Sequence, residues 1–306
     1  MSQIASTYKA RDVEETIDVY FYRPLGYVIA RGCQSLGITP NAVTIASIFI
    51  GVSGGHLLYY RDLATNVWGF ILWVIADTLD SVDGQLARMT DHRSKIGRIL
   101  DGFAGNLMFV SMYLHLFARM VVTYPDVTWP FLLLFVAAGG VSHSLQSSLA
   151  DYYRNAYLRF VVDPMKSELE GSDEIRREYE RLSFAASPLK KFLLRIYLNY
   201  TIQQESLSKN FQRLRRRVAT EFETNVPDWF REEYRRGNKP LMKYYAVLTT
   251  NTRMIIMAIC VLSNRVPWYF VAEIGVINFV MFLVTMHQEK LSAVLYRQID
   301  LWKRTS

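Results

Sequence analysis

The chain has 306 residues, 51% of them hydrophobic and 21% charged, and a formal charge of +7. Two cysteines, Cys33 and Cys260, are too few for a disulfide framework and exclude the small stapled secreted scaffolds. A basic chain suits nucleic acid as well as a membrane, but here the apolar residues gather in long runs with the charges between them, so a membrane protein is expected and a nucleic-acid partner is not.

In chain order, residues 1–36 are polar and then amphipathic, and no signal peptide is read in the opening MSQIASTYKARDVEET, so insertion is expected from the first span. The stretch VYFYRPLGYVIARGCQSLG mixes aromatics and aliphatics with Arg23 and Arg31 and predicts an interfacial helix ended by Gly37 and Pro40. Six apolar runs follow, at 42–60, 67–79, 99–122, 129–149, 245–262 and 268–286. Crossing a bilayer takes roughly 20 helical residues; the second run reaches that length only if it continues into the polar motif after it, lining a protected cavity. The short links near Arg61, Pro125 and Arg265, with their span ends, hold three basic residues, Arg61, Arg119 and Arg265. Most of the other Lys and Arg fall to the opposite side, which puts both termini in the cytoplasm.

Between the fourth and fifth runs lies a charged insertion of about 90 residues. Leu189, Phe192, Leu193, Ile196 and Tyr197 are spaced for an amphipathic helix with Pro188 in its first turn. Arg213, Arg215, Arg216 and Arg217 form a basic run suited to anionic headgroups or to a solvated helix face. The expected fold is an all-α polytopic bundle of six spans. Its parts are an interfacial N-terminal segment (1–36), a transmembrane domain in two pieces (37–150 and 243–290), a cytoplasmic helical insertion (151–242) and a cytoplasmic tail (291–306).

The chemistry concentrates in VIADTLDSVDGQLARMTDHRSKIGRILDGFAGN. Asp77, Asp80 and Asp83 recur every three residues, roughly one face of a helix. Carboxylates in a span are costly unless paired, protonated or bound to metal, and clustered ones repel unless a cation intervenes. Mg²⁺ or Mn²⁺ is the natural choice for hard oxygen ligands. Such an ion draws phosphate, which Arg88 can assist, while Gly84 and Gly97 permit close approach.

The run Asp80-x2-Asp83-Gly84-x2-Ala87-Arg88-x8-Gly97-x3-Asp101 resembles the signature of the CDP-alcohol phosphotransferases, or CDP-alcohol phosphatidyltransferases. The stretch Gly37 to Thr44, GITPNAVT, also looks like what these proteins carry before their first span. The resemblance implies six spans around a cytoplasm-facing cavity, a homodimer, and a reaction of phospholipid biosynthesis in the cytoplasmic membrane or an organelle membrane. In that reaction a hydroxyl of a lipid or small polyol acceptor attacks a metal-held CDP-alcohol donor, and CMP leaves. By the same resemblance Asp80, Asp83 and Asp101 bind metal, and Asp80, Gly84, Ala87, Arg88 and Gly97 shape the nucleotide pocket.

The signature ends with a fourth Asp, its candidate general base, where this chain has Gly105 followed by Asn106. Asp77 is the spare carboxylate one turn before Asp80, so Asp77 and Asp101 are the candidate catalytic pair, with His92 a weaker substitute. Three readings follow: an active transferase with another base, a non-catalytic binder of nucleotide or lipid, or an enzyme whose acceptor brings its own acidic group. A transporter is a further option that the spacing disfavours. Gln146, Arg154 and Arg253 are candidates for reading an acceptor headgroup, with helix-end capping as the plainer alternative, and Glu273 could pair with Arg253.

Overall fold

The computed structural model describes residues 10, 12–92, 94–223 and 225–305. The first nine residues of the expected N-terminal segment and the chain's last residue lie outside it. Every regular element among the described residues is helical. The described residues divide into two compact units, one of residues 14–142 and 254–274 and the other of 12–13, 143–253 and 275–305.

The first unit begins with a π-helical turn, Asp18–Tyr22, that runs into α1, Arg23–Ser35. Gly37, at φ +68°, then takes the left-handed conformation that ends the helix, as the sequence predicts. Pro40 opens α2, Pro40–Leu57, behind an N-cap in which the Thr39 hydroxyl accepts from the Ala42 N–H. Asp62 caps α3, Leu63–Met89, by accepting from Thr65 N–H at 2.8 Å. Ser94 caps α4, Lys95–Thr123, by accepting from Gly97 N–H at 2.9 Å. After them come the part of α5, Trp129–Tyr157, before His143 and, beyond the insertion, the part of α11, Thr250–Leu262, from Met254 on, and α12, Val266–Val271.

Glycines let α2 lie against α3: a Cβ on Gly54 would stand 2.8 Å from the Gly69 carbonyl oxygen. Trp73, Met108, Met112, Leu116, Tyr269 and Phe270 lead one apolar core of this unit. A smaller one, Ala30, Val43, Val82 and Leu86, clamps α1, α2 and α3 together beside the acidic motif.

Among the described residues, four stretches are helices long and apolar enough to cross a membrane: Lys95–Thr123, Trp129–Val162, Asp228–Leu262 and Val266–Lys303. The other two expected spans also form helices, α2 and α3, but fall outside that set. Pro40, Asn41, His56 and the glycines dilute the apolar character of α2, and Asp77, Asp80 and Asp83 dilute that of α3. Arg119, taken from the sequence as a span-end charge, is instead only 2% exposed. Its guanidinium donates to the Leu58 carbonyl, Asn66 Oδ1, the Val261 carbonyl and Asn264 Oδ1 at 2.7–3.4 Å. It thereby ties the link after α2 and the link after α11 to the far end of α4.

The second unit contains the insertion. A π-helical turn, Leu158–Val162, and a short turn, Pro164–Lys166, lead to α6, Ser172–Arg181; α7, Pro188–Ser206; α8, Lys209–Phe222; α9, Asp228–Asn238; and α10, Met242–Val247. Its core is aromatic, with Phe160 ringed by Phe211, Phe230 and Tyr234 at centroid distances of 5.1–6.2 Å. The last helix, α13, Asn278–Thr305, follows a third π-helical turn, Ala272–Ile277, and runs through the segment expected to be a tail. Glu289 on α13 accepts from the Asn210 and Phe211 N–H groups and so caps the start of α8. The expected amphipathic helix forms as α7 with Pro188 at its start, but its buried stripe is Leu193, Leu194 and Leu198. Leu189 and Phe192, two of the apolar positions spaced for that helix, are 63% and 48% exposed.

Candidate active site

The motif is carried by one uninterrupted helix and the next. Asp77, Asp80, Asp83, Gly84, Ala87 and Arg88 all lie on α3, and Gly97, Asp101 and Gly105 on α4. The reversal between them uses Asp91 at φ +54° and the Ser94 cap.

Asp83 is 4% exposed and buried against α2, where the Thr44 hydroxyl donates to its Oδ2 at 2.5 Å. The adjacent Gly84 N–H also donates to it, and the charges of Asp80 and Arg88 act on it. Thr44 was not singled out by the sequence as a site residue. The available signal was its place at the end of GITPNAVT, one turn into α2, and the structure turns that stretch into a wall of the site. Asn41 belongs to the same wall, since a Cβ on Gly97 would stand 3.4 Å from its Oδ1.

The Arg88 guanidinium lies over Gly84, where a Cβ would meet both its terminal nitrogens at 3.4 Å, close to ordinary contact. Gly84, Ala87, Arg88 and Gly97 are each partly exposed, as a pocket lining requires. Asp77 accepts a hydrogen bond from the Tyr22 hydroxyl of the N-terminal turn, and the charges of Asp80, Asp18 and Glu15 reach it. Burial, with Asp77 and Asp18 beside it, pushes the Tyr22 phenol up, so Tyr22 remains a protonated donor at neutral pH. Gln85, deeper on α3, donates to the Arg23 carbonyl at 3.1 Å and holds α1 against the motif.

The position of the missing fourth carboxylate is open, since nothing lies within 4 Å of a Cβ built on Gly105. Asn106 does not replace it, because its side chain donates to the Gly102 carbonyl of its own helix at 2.8 Å. His92 is exposed in the connecting loop.

The donors suit a hard divalent cation, being carboxylates with one of them fixed by a hydroxyl and a backbone N–H. Among the described residues, however, no three His, Cys, Asp or Glu side chains converge as metal ligands, so Asp80, Asp83 and Asp101 are not drawn into a ready cluster. Asp83 is turned onto Thr44, and like charges one helical turn apart repel.

The acceptor candidates fall in the second unit and are used within it. Arg253 is fully buried and donates to Gln146 Oε1 at 2.5 Å, Ser147 Oγ at 3.0 Å and the Leu248 carbonyl at 2.6 Å. Gln146 in turn donates to Asn278 Oδ1 at 2.8 Å, and Arg154 donates to the Val13 carbonyl.

Comparison with known proteins bears on the same region. Residues 37–161 match the family model described as CDP-alcohol phosphatidyltransferase. An archaetidylinositol phosphate synthase of Pyrococcus horikoshii is 32% identical over 116 residues, which is 38% of this chain and 58% of that protein. An uncharacterized protein of Aquifex aeolicus is 28% identical over 113 residues, 35% of this chain and 54% of that protein. A bifunctional IPC transferase and DIPP synthase of Thermococcus kodakarensis is 28% identical over 122 residues, 39% of this chain and 27% of that protein. The chain thus spans about half the length of the first two relatives and less of the third. No solved structure gives a significant match.

Proposed function

We propose, from the match of residues 37–161 to the CDP-alcohol phosphatidyltransferase family model, that the protein is a membrane-embedded transferase. It moves a phosphatidyl or similar phosphoalcohol group from a CDP-alcohol to a hydroxyl acceptor in phospholipid synthesis. The observation that carries this reading is the buried Asp83, fixed by Thr44 and flanked by Asp80 and Arg88 on one helix.

In this reading Asp80, Asp83 and Asp101 hold Mg²⁺ or Mn²⁺, with Thr44 fixing the carboxylate of Asp83. A divalent cation held by these three carboxylates would supply charge neutralisation for the donor pyrophosphate and the leaving CMP. Arg88, lying over Gly84, adds a charge-assisted contact to the donor phosphates, and Ala87 and Gly97 leave room for the nucleotide. The acceptor oxygen bonds to the phosphorus on the alcohol side of the diphosphate, and the bond to the CMP oxygen breaks. Asp77, held by Tyr22, takes the acceptor proton in place of the absent fourth Asp.

We also propose the finer topology of six spans, with α2 and α3 crossing the membrane beside the four more apolar stretches and the acidic motif facing the cytoplasm. The bonds that Arg119 makes to the links after α2 and α11 support it, because an up-and-down bundle brings those links to one side. A homodimer is proposed from the family alone. Gln146, Arg154 and Arg253 stay as proposed acceptor contacts, subject to their present bonds. The name of the Pyrococcus relative puts a phosphorylated polyol on the acceptor panel.

Gly105 favours a second reading, a non-catalytic protein that binds nucleotide or lipid on the same fold. The deciding experiment incubates the purified protein with labelled CDP-linked lipids and CDP-linked small alcohols, Mg²⁺ or Mn²⁺, and a panel of hydroxyl acceptors. CMP release supports the enzyme. Nucleotide binding without CMP release from any donor selects the second reading.

A further inference from the structure

The basic run of the insertion, Arg213 to Arg217, divides its arginines among different tasks. Arg217 pairs with Asp300 at 2.5 Å and Glu221 at 3.0 Å. Arg215 donates to the Glu170 carbonyl and to Glu205 Oε1, each at 3.1 Å, and occupies the space that a side chain on Gly171 would fill, 2.9 Å from its Cβ position. Arg216 points elsewhere. It lines a cavity of about 350 Å³ together with Arg159, Arg177 and Arg215.

The cavity is built wholly within the second unit. Its walls are the π-helical turn Leu158–Val162, the start of α6 and one face of α8, and Phe160, Leu169, Val218 and Val226 give it apolar surface. Its volume is at the lower end of the range for small-molecule sites, roughly 300–1,000 Å³. Phe160 is locked in the aromatic core, which makes this wall rigid. Arg159 stands on the π turn, an interruption often found at functional sites. Among the described residues neither Arg159 nor Arg216 forms an ion pair, although Asp173, Glu174 and Glu223 also line the cavity. Guanidinium groups sharing a partly apolar lining suit a phosphate group, which they can bind through paired N–H donors. The carboxylates that also line the cavity can accept from hydroxyls on the rest of such a ligand.

We propose that this cavity is a binding site for a phosphate group carried by a small hydroxylated molecule or by a lipid headgroup. It uses none of the residues of the acidic helix pair, so it does not depend on the transferase reading. The test uses the full chain in detergent with EDTA present, which keeps divalent cations from the aspartates of α3 and α4. Inorganic pyrophosphate is titrated by calorimetry in one arm, and mixed micelles containing short-chain phosphatidic acid in the other.

Saturable binding is expected in at least one arm, weakened tenfold or more by Arg159→Ala or Arg216→Ala. It should stay within twofold in Arg213→Ala, an exposed basic residue of the same helix outside the cavity, and in Asp80→Asn. Pyrophosphate binding identifies a soluble phosphate as the source, and binding in the lipid arm alone identifies a headgroup. Arg216 is exposed on α8, so its replacement leaves the fold intact even if Arg159→Ala does not. The proposal is overturned if neither probe saturates, if Arg213→Ala weakens binding as much as Arg216→Ala, or if Asp80→Asn abolishes it.

Discussion

Thr44→Val probes the hydroxyl that fixes the most buried carboxylate of the site. The bond it removes runs 2.5 Å from Thr44 Oγ1 to Asp83 Oδ2, from a threonine and to an aspartate that are both almost fully buried. Valine keeps the branched shape and the packing of α2 on α3, so the chief loss is one hydrogen bond to a charged group, about 1.5–3 kcal/mol. At 1.4 kcal/mol per tenfold, this predicts that the Mg²⁺ concentration for half-maximal CMP release rises by roughly 10–100-fold. Turnover at saturating Mg²⁺ should change much less. Thr44→Ser restores the hydroxyl and should restore the Mg²⁺ midpoint. An unchanged midpoint in Thr44→Val would refute the role of this bond. Equal damage by serine and valine would show that packing, not the hydroxyl, is what matters there.

Gly105→Asp should fold, with a melting temperature within about 2 °C of the wild type, because its Cβ meets nothing and helix propensity changes by only about 0.5 kcal/mol. CMP release should equal or exceed that of the parent, and a melting point lowered by 5 °C or more would show the position to be closed. Tyr22→Phe removes the donor to Asp77; it should cost about 1 kcal/mol in stability and lower turnover several-fold, whereas unchanged turnover would show that this bond does not position Asp77. Arg119→Leu strips partners from two asparagine side chains and two carbonyls, and thermal unfolding in detergent should report a loss of about 3 kcal/mol, with no effect on the Mg²⁺ midpoint of the protein that remains folded.

Much of the fold was legible because its signals are local. Apolar run length announced α4 and α5, Gly37 and Pro40 marked the boundary between α1 and α2, and Pro188 opened α7 where expected. What the sequence hid depends on partners distant in the chain. Leu189 follows the helical period of a buried stripe, yet α7 turns Leu194 inward in its place. Arg119 reads as an interfacial charge because hydropathy cannot register four acceptors gathered from residues 58 to 264.

The candidate site divides in the same way. Aspartate spacing revealed the acids, but Thr44 and Tyr22 lie 39 and 55 residues before the carboxylates they serve, Asp83 and Asp77, and only the packing of α1 and α2 on α3 brings them there. The absence at Gly105 was visible in the sequence, whereas the free space beside it was not.

The central claim is that the aspartates of α3 support metal-dependent release of CMP. Wild type and Asp80→Asn, matched for folded protein by thermal melting, should be compared for CMP release from CDP-linked donors across a Mg²⁺ titration. The account predicts Mg²⁺-dependent release by the wild type and at least a 100-fold loss in Asp80→Asn. Equal release by the two, or release by the wild type that EDTA leaves untouched, would contradict it.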